Sequence, residues 1–129
     1  MANVQVTFDR IDVDKDGDPG VTDGKGDFYW TLNVNGARVS HRSESNVQRE
    51  GNGSSIDLGE SKSVELKPQE DLIVSGFLAE KDQGTSGADE RDDFAQTFDR
   101  SQNWGNGPHQ VSLQDRKMAC TLHYTVSAG

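Results

Sequence analysis

Apolar residues recur at every second position in several short stretches of this chain. Val4, Val6 and Phe8 alternate with polar neighbours, and Ile11 and Val13 continue on the opposite parity. That pattern predicts a strand with a bulge near Asp9-Arg10. Phe28, Trp30, Leu32 and Val34 predict a second strand, ended by Asn35-Gly36, a pair suited to a tight hairpin turn, with 37–40 pairing back. Residues 41–55 hold few apolar side chains and read as a loop. Ile56/Leu58 and Val64/Leu66 predict two weaker strands. Residues 71–80 form the strongest apolar run, on both parities, as expected for a strand covered in part on both faces. Phe94 and Phe98 fit one helical turn or a short strand. His109/Val111/Leu113 and 117–127 predict the last two strands.

Turn signals every 8–12 residues and the lack of a long helical period give an all-β fold, an antiparallel β-sandwich of seven or eight strands. At 129 residues the chain is expected to be one domain, 1–129. Composition adds a thin core: 31% of residues are apolar, 27% are charged and 14 are glycine. Two layers of short strands suit so few apolar residues better than a helical bundle.

Charge is unevenly placed. The net charge is −9, and segments 9–27 and 80–93 carry −8 of it. The first holds Asp9, Asp12, Asp14, Asp16, Asp18, Asp23 and Asp27; the second holds Glu80, Asp82, Asp89, Glu90, Asp92 and Asp93. Phosphates would be repelled by such surfaces, so no nucleic-acid partner is expected. Clustered carboxylates repel one another unless they stay solvated or a cation neutralises them.

Arrangement favours the cation. Asp12-Val13-Asp14-Lys15-Asp16-Gly17-Asp18 alternates carboxylates and places a glycine after the third, so the chain can curl round one ion. Hard oxygen donors with no soft partner suit Ca²⁺. The string matches the first half of an EF-hand loop, but the flanking segments have period two, and Pro19 stands where that loop usually carries an apolar residue. Glu80-Lys81-Asp82 and Asp89-Glu90-Arg91-Asp92-Asp93 bracket a Gly-rich stretch, so acids can converge from both its ends. The two loops share one end of a sandwich if an even number of strand crossings separates them. Four crossings result if 37–40 is not a crossing strand.

An acidic loop after the first strand, then Gly26-Asp27-Phe28-Tyr29 opening the second, resembles the entry of C2-type calcium-binding β-sandwiches. Glu80-x-Asp82 with acids downstream is similar to that family's third loop. The resemblance covers roughly 4–34 and 72–98. It implies an eight-stranded sandwich with calcium held between loops at one end, by Asp14 or Asp16, Asp27, Glu80, Asp82 and one of Asp89, Asp92 or Asp93. Phe28 stands where the family has proline, and Glu80 where it has aspartate. Together with the first loop's own pattern, the expected metal ligands are Asp12, Asp14, Asp16, Asp27, Glu80, Asp82, Asp89 and Asp93. The bases Arg38, Arg42, Arg49, Lys62 and Lys67 are scattered, which speaks against a membrane-docking face.

Other residues change the picture less. Cys120 lies in an alternating strand and is expected to be buried; Trp30 is expected in the core. Trp104, between Asn103 and Gly105, is expected to plug one end of the sandwich; as an exposed platform it would, with Tyr29, contact sugar. His41, His109 and His123 lack zinc-ligand spacing. No nucleophile-elbow, zincin or P-loop motif appears, so the expectation is a non-catalytic module rather than an enzyme. Its partners would be calcium and then carbohydrate, protein or, least expected, lipid. No secretory leader and no transmembrane run is recognisable, so a cytoplasmic location or non-classical export is expected.

Overall fold

In the computed structural model, residues 1–16, 25–81 and 89–128 are described. Among these described residues nine strands run in chain order: β1 (Ala2–Asp16), β2 (Lys25–Val34), β3 (Ala37–Arg42), β4 (Gln48–Gly51), β5 (Ser55–Leu66), β6 (Leu72–Glu80), β7 (Glu90–Phe98), β8 (Gly107–Asp115) and β9 (Met118–Ala128). The first sheet has the order β5-β1-β9-β8. The second has β3-β2-β6-β7, with β4 also paired to β2. All pairings are antiparallel.

The strand count exceeds the expected seven or eight because 48–51 is not loop. β3 pairs Trp30–Val34 of β2, and β4 continues the same path along Lys25–Phe28. The two make one pass interrupted by a turn, so the described residues traverse the sandwich eight times. Residues 56–58 and 63–67 prove to be one long strand, β5, rather than two. Residues 94–98 are strand, and Arg100–Gly105 forms a 3₁₀ turn.

Alternation places the core. Val4, Val6 and Phe8 of β1 face Leu122, Tyr124 and Val126 on β9, and Phe28, Trp30, Leu32 and Val34 face them from the second sheet; all are buried. The register of β1 slips between Phe8 and Arg10, so Ile11 and Val13 regain the inner face after the bulge. Cys120 is buried among them. Trp30 donates its indole N–H to Ser40 Oγ at 3.0 Å.

The Asn35-Gly36 turn has positive φ at both residues (46° and 81°), the geometry that matches strand twist in a two-residue hairpin. Trp104 is a plug: it is 7% exposed, and its Nε1 donates to Glu70 O at 2.9 Å. It lies after β7 and before β8, at the end of the sandwich away from Tyr29. The pair cannot form one sugar-binding platform.

The two long sides of the sandwich differ. Where β7 runs beside β8, carboxylates of one edge accept backbone N–H groups of the other. Asp92 Oδ2 takes Gln114 N (2.9 Å), Asp115 Oδ2 takes Arg91 N (2.9 Å), and Glu90 Oε2 takes Lys117 N (2.9 Å) and Met118 N (2.6 Å). Unpaired edge groups are thereby satisfied without a further strand.

Candidate functional site

Chain direction brings the two acidic segments to one end. β1 leaves this end at Asp16 and β2 returns from it at Lys25; β6 reaches it at Glu80 and β7 departs at Glu90. Between Asp27 and Glu80 the chain makes four passes: β2, the joined β3 and β4, β5, and β6. An even number returns it to the same tip. Backbone register fixes the neighbours: Phe28 faces Glu80, and Glu80 faces Glu90, in one row across the second sheet. Lys81 N donates to Asp27 O at 2.7 Å, joining the start of one acidic loop to the end of the other.

Within that row Phe28, Glu80 and Glu90 share the inner face, at the mouth of the core. Asp27 is on the parity of Tyr29, the outer face. Asp27, Glu80 and Glu90 are 8%, 7% and 8% exposed. Directly opposed like charges destabilise a ladder, and buried carboxylates need compensation. Glu90 has it, from the two amides at the β8–β9 turn. Asp89 accepts the Tyr29 hydroxyl at 2.6 Å. Burial, then this bond to a carboxylate, pushes the Tyr29 pKa up.

The other expected ligands stand elsewhere. Asp12 is flanked by the inward-facing Ile11 and Val13, and so faces out from the first sheet. It accepts Ser55 Oγ (2.7 Å), Arg10 Nε (3.0 Å) and the His123 imidazole Nε2 (2.7 Å). The Ser55 hydroxyl, followed by His123 and Arg10, holds its carboxyl below the usual range. Asp93 faces out from the second sheet and is paired with Arg91 at 2.7 Å, whose guanidinium lies 3.8 Å over the Phe77 ring. Asp12 and Asp93 are thus on opposite outer faces, separated by both sheets. Asp14 is exposed at the second β1 irregularity, where Thr121 Oγ1 donates to it at 3.2 Å. For Asp16 only the backbone is described, opposite Met118. Asp82, Asp18 and Asp23 lie outside the described residues. Among the described residues, no group of three or more His, Cys, Asp or Glu side chains is placed to hold a metal ion.

Glu90 is a residue that sequence reasoning gave no role. Its partners are 27 and 28 residues downstream, and no local spacing announces them. The one sign is a glutamate at an inward parity ahead of Phe94 and Phe98.

Among the described residues no helix is long and apolar enough to cross a membrane. No protein-family model and no curated protein matches the chain. Solved structures do match. One, described as "Structure of a C2 domain", aligns with a TM-score of 0.52 over 100% of this chain and 99% of that one, at 14% identity. Order of strands, two antiparallel sheets and this full-length likeness agree on the architecture: the chain is a β-sandwich with the C2-like fold.

Proposed function

We propose that residues 1–129 form one non-catalytic binding module that takes up Ca²⁺ between its two acidic loops. The observation that carries the reading is the row Phe28–Glu80–Glu90 at the tip, with Asp27 beside it. It supports the reading because Asp27, Glu80 and Glu90, described residues at the ends of the two acidic segments, lie at one end of the fold. The donor set fits a hard cation. It consists of carboxylate oxygens, and two opposed glutamates gain from a positive charge between the loops. Asp27, Glu80 and Asp89 would hold the ion from the second sheet, with Asp14 or Asp16 from the first and Asp82 from the second loop. Asp12 and Asp93 are set aside, because each is held in an ion pair, with Arg10 and Arg91, on opposite outer faces separated by both sheets. Bound calcium would supply neutralisation and cross-linking of the two loops.

Calcium bound only by the folded chain stabilises it by mass action, by about 2.7 kcal/mol at a hundredfold excess over Kd. Differential scanning calorimetry should therefore give a Tm that rises with calcium, falls back with chelator and responds more weakly to magnesium. An unchanged Tm, with no heat on titration, overturns the reading.

A further inference from the structure

We infer that the side of the sandwich opposite β7 and β8 is a self-association surface. There β5 pairs antiparallel with β5 of a second copy, centred on Ser61, and Lys62 of each chain sits on Glu60 of the other. Calcium has no part in this contact.

The strands on that side are edges. Among the described residues β5 pairs with β1 alone, and β3 and β4 pair with β2 alone. Carboxylates bridge β7 to β8. Between β5 and the β3–β4 pass, by contrast, a cleft of about 450 Å³ stays open, with Trp30, Gln48, Ile56, Leu58 and Glu60 on its walls. Leu58 and Val64 pack on the margin of the core and are only half-buried. An edge strand of 12 residues therefore presents open main-chain groups and an uncovered apolar margin along one line.

Charge selects the occupant. In register with Val6 and Phe8, Lys62 and Glu60 point to the inner side, yet both are exposed because no described strand covers that side. Trp30 Nε1 donates to the buried Ser40 Oγ, which donates in turn to Glu60 Oε1 at 2.6 Å, so this carboxylate is held in place through one oxygen. Lys62 has no hydrogen bond or ion pair among the described residues.

Lysine on an edge strand ordinarily guards against pairing. Here a fixed carboxylate stands two residues away on the same face, and a two-fold axis turns that spacing into complementarity. Opposite residues of an antiparallel pair share a face, so a symmetric ladder must centre on a residue. Centred on Glu60 or on Lys62 it opposes like charges. Centred on Ser61 it sets Lys62 against Glu60 twice, with Leu58 against Val64 on either side. Gly59, whose φ is +64°, faces Ser63 and adds no side chain to the contact. Asp57 and Glu65 would oppose one another next, so the ladder ends at residues 58–64.

So short a ladder falls well below the roughly 20–30 residues a side of a stable interface, and the dimer is therefore weak and concentration-dependent. Sedimentation equilibrium in chelator, from micromolar to millimolar chain, should show the wild-type mass rising toward twice that of the chain. Lys62→Glu and Glu60→Lys, checked for folding by circular dichroism, should each stay at monomer mass, since each sets like charges opposite one another. Mixed in equal amounts the two should associate again, because each then supplies the charge that the other has lost. Lys62→Arg keeps the charge and should dimerise as the wild type does; compared with K62E, it carries the test if E60K fails to fold. A wild type that stays monomeric at millimolar concentration overturns the dimer. Association that K62E leaves unchanged, loss in K62R equal to that in K62E, or a mixture of folded variants that stays monomeric overturns this surface.

Discussion

The Tyr29 hydroxyl donates to Asp89 Oδ2 at 2.6 Å, across 60 residues of sequence. This bond pins the end of the second acidic loop to the outer face of β2, two residues from Asp27. Tyr29→Phe removes the donor and leaves the ring on Phe77, 6.0 Å away and edge-on. Thermal unfolding should show a loss of about 1 kcal/mol, the ordinary net worth of such a bond. Calcium affinity should weaken slightly, because Asp89 loses its orientation rather than its charge.

Both tyrosines of the chain have raised pKa values, Tyr124 by burial and Tyr29 by burial together with Asp89. A group whose folded pKa exceeds its unfolded one contributes stability that is complete below the unfolded value, 10.0 here, and is lost as pH rises toward the folded value. Phenolate absorbance should therefore stay low in the native protein beyond pH 10 and appear together with unfolding. In concentrated urea the same titration should centre near the ordinary value. A native titration centred there would contradict the packing of both rings.

Asp12 works in the opposite direction. Its depressed pKa contributes stability above the ordinary value of 3.8, lost as pH falls below it. Asp12→Ala strands Ser55, Arg10 and His123 together. It should cost about 1 kcal/mol, discounted for a side chain 30% exposed. Calcium affinity should be unchanged, since this carboxylate lies on the wrong face of the first sheet. Weakened binding in D12A would return Asp12 to the ligand set.

Gly76 has φ +152°, and a Cβ there would stand 2.1 Å from Thr31 O, a backbone atom of β2 that cannot yield cheaply. Gly76→Ala should lose about 3 kcal/mol or more, or fail to fold. Expression and circular dichroism check this directly.

Trp104→Ala should lower stability by about 3–5 kcal/mol, through loss of a buried ring and of its hydrogen bond to the Glu70 carbonyl. Retention of the wild-type protein on polysaccharide columns should be absent, because the Trp104 ring is buried and offers no platform to solvent. Retention that W104A abolishes while it stays folded would revive a sugar-binding role.

How much of this could be read in advance depended on where packing wrote itself into alternation. β1, β2, β6 and β9 bury a full row on one face, and their parity was visible, down to the bulge at Asp9. β4, Gln-Arg-Glu-Gly, has no apolar residue; it is strand because β2 offers a ladder there. β5 was split in two because Gly59–Ser63 is polar on both faces, as an edge strand allows. In β7 the inward positions include Glu90, Asp92 and Gln96, whose bonds to the other sheet replace apolar contacts. The shared tip illustrates the limit best. From the sequence, four crossings result only if 37–40 is dropped and 56–67 is counted as two strands; the chain reaches four by joining β3 to β4 and making 55–66 one strand. Parity survived two compensating errors. Asp12 shows where motif and parity diverge: the acidic motif groups it with the loop, while its buried neighbours Ile11 and Val13 set it on the outer face of the first sheet, against Ser55, Arg10 and His123.

The most direct test of the shared tip is a calcium titration followed by backbone amide NMR. Asp27, Glu80 and Asp89 should shift together, with one midpoint, while Asp12 and Asp93 stay still. Separate midpoints for the two segments, or movement in one alone, would contradict a single site built from both.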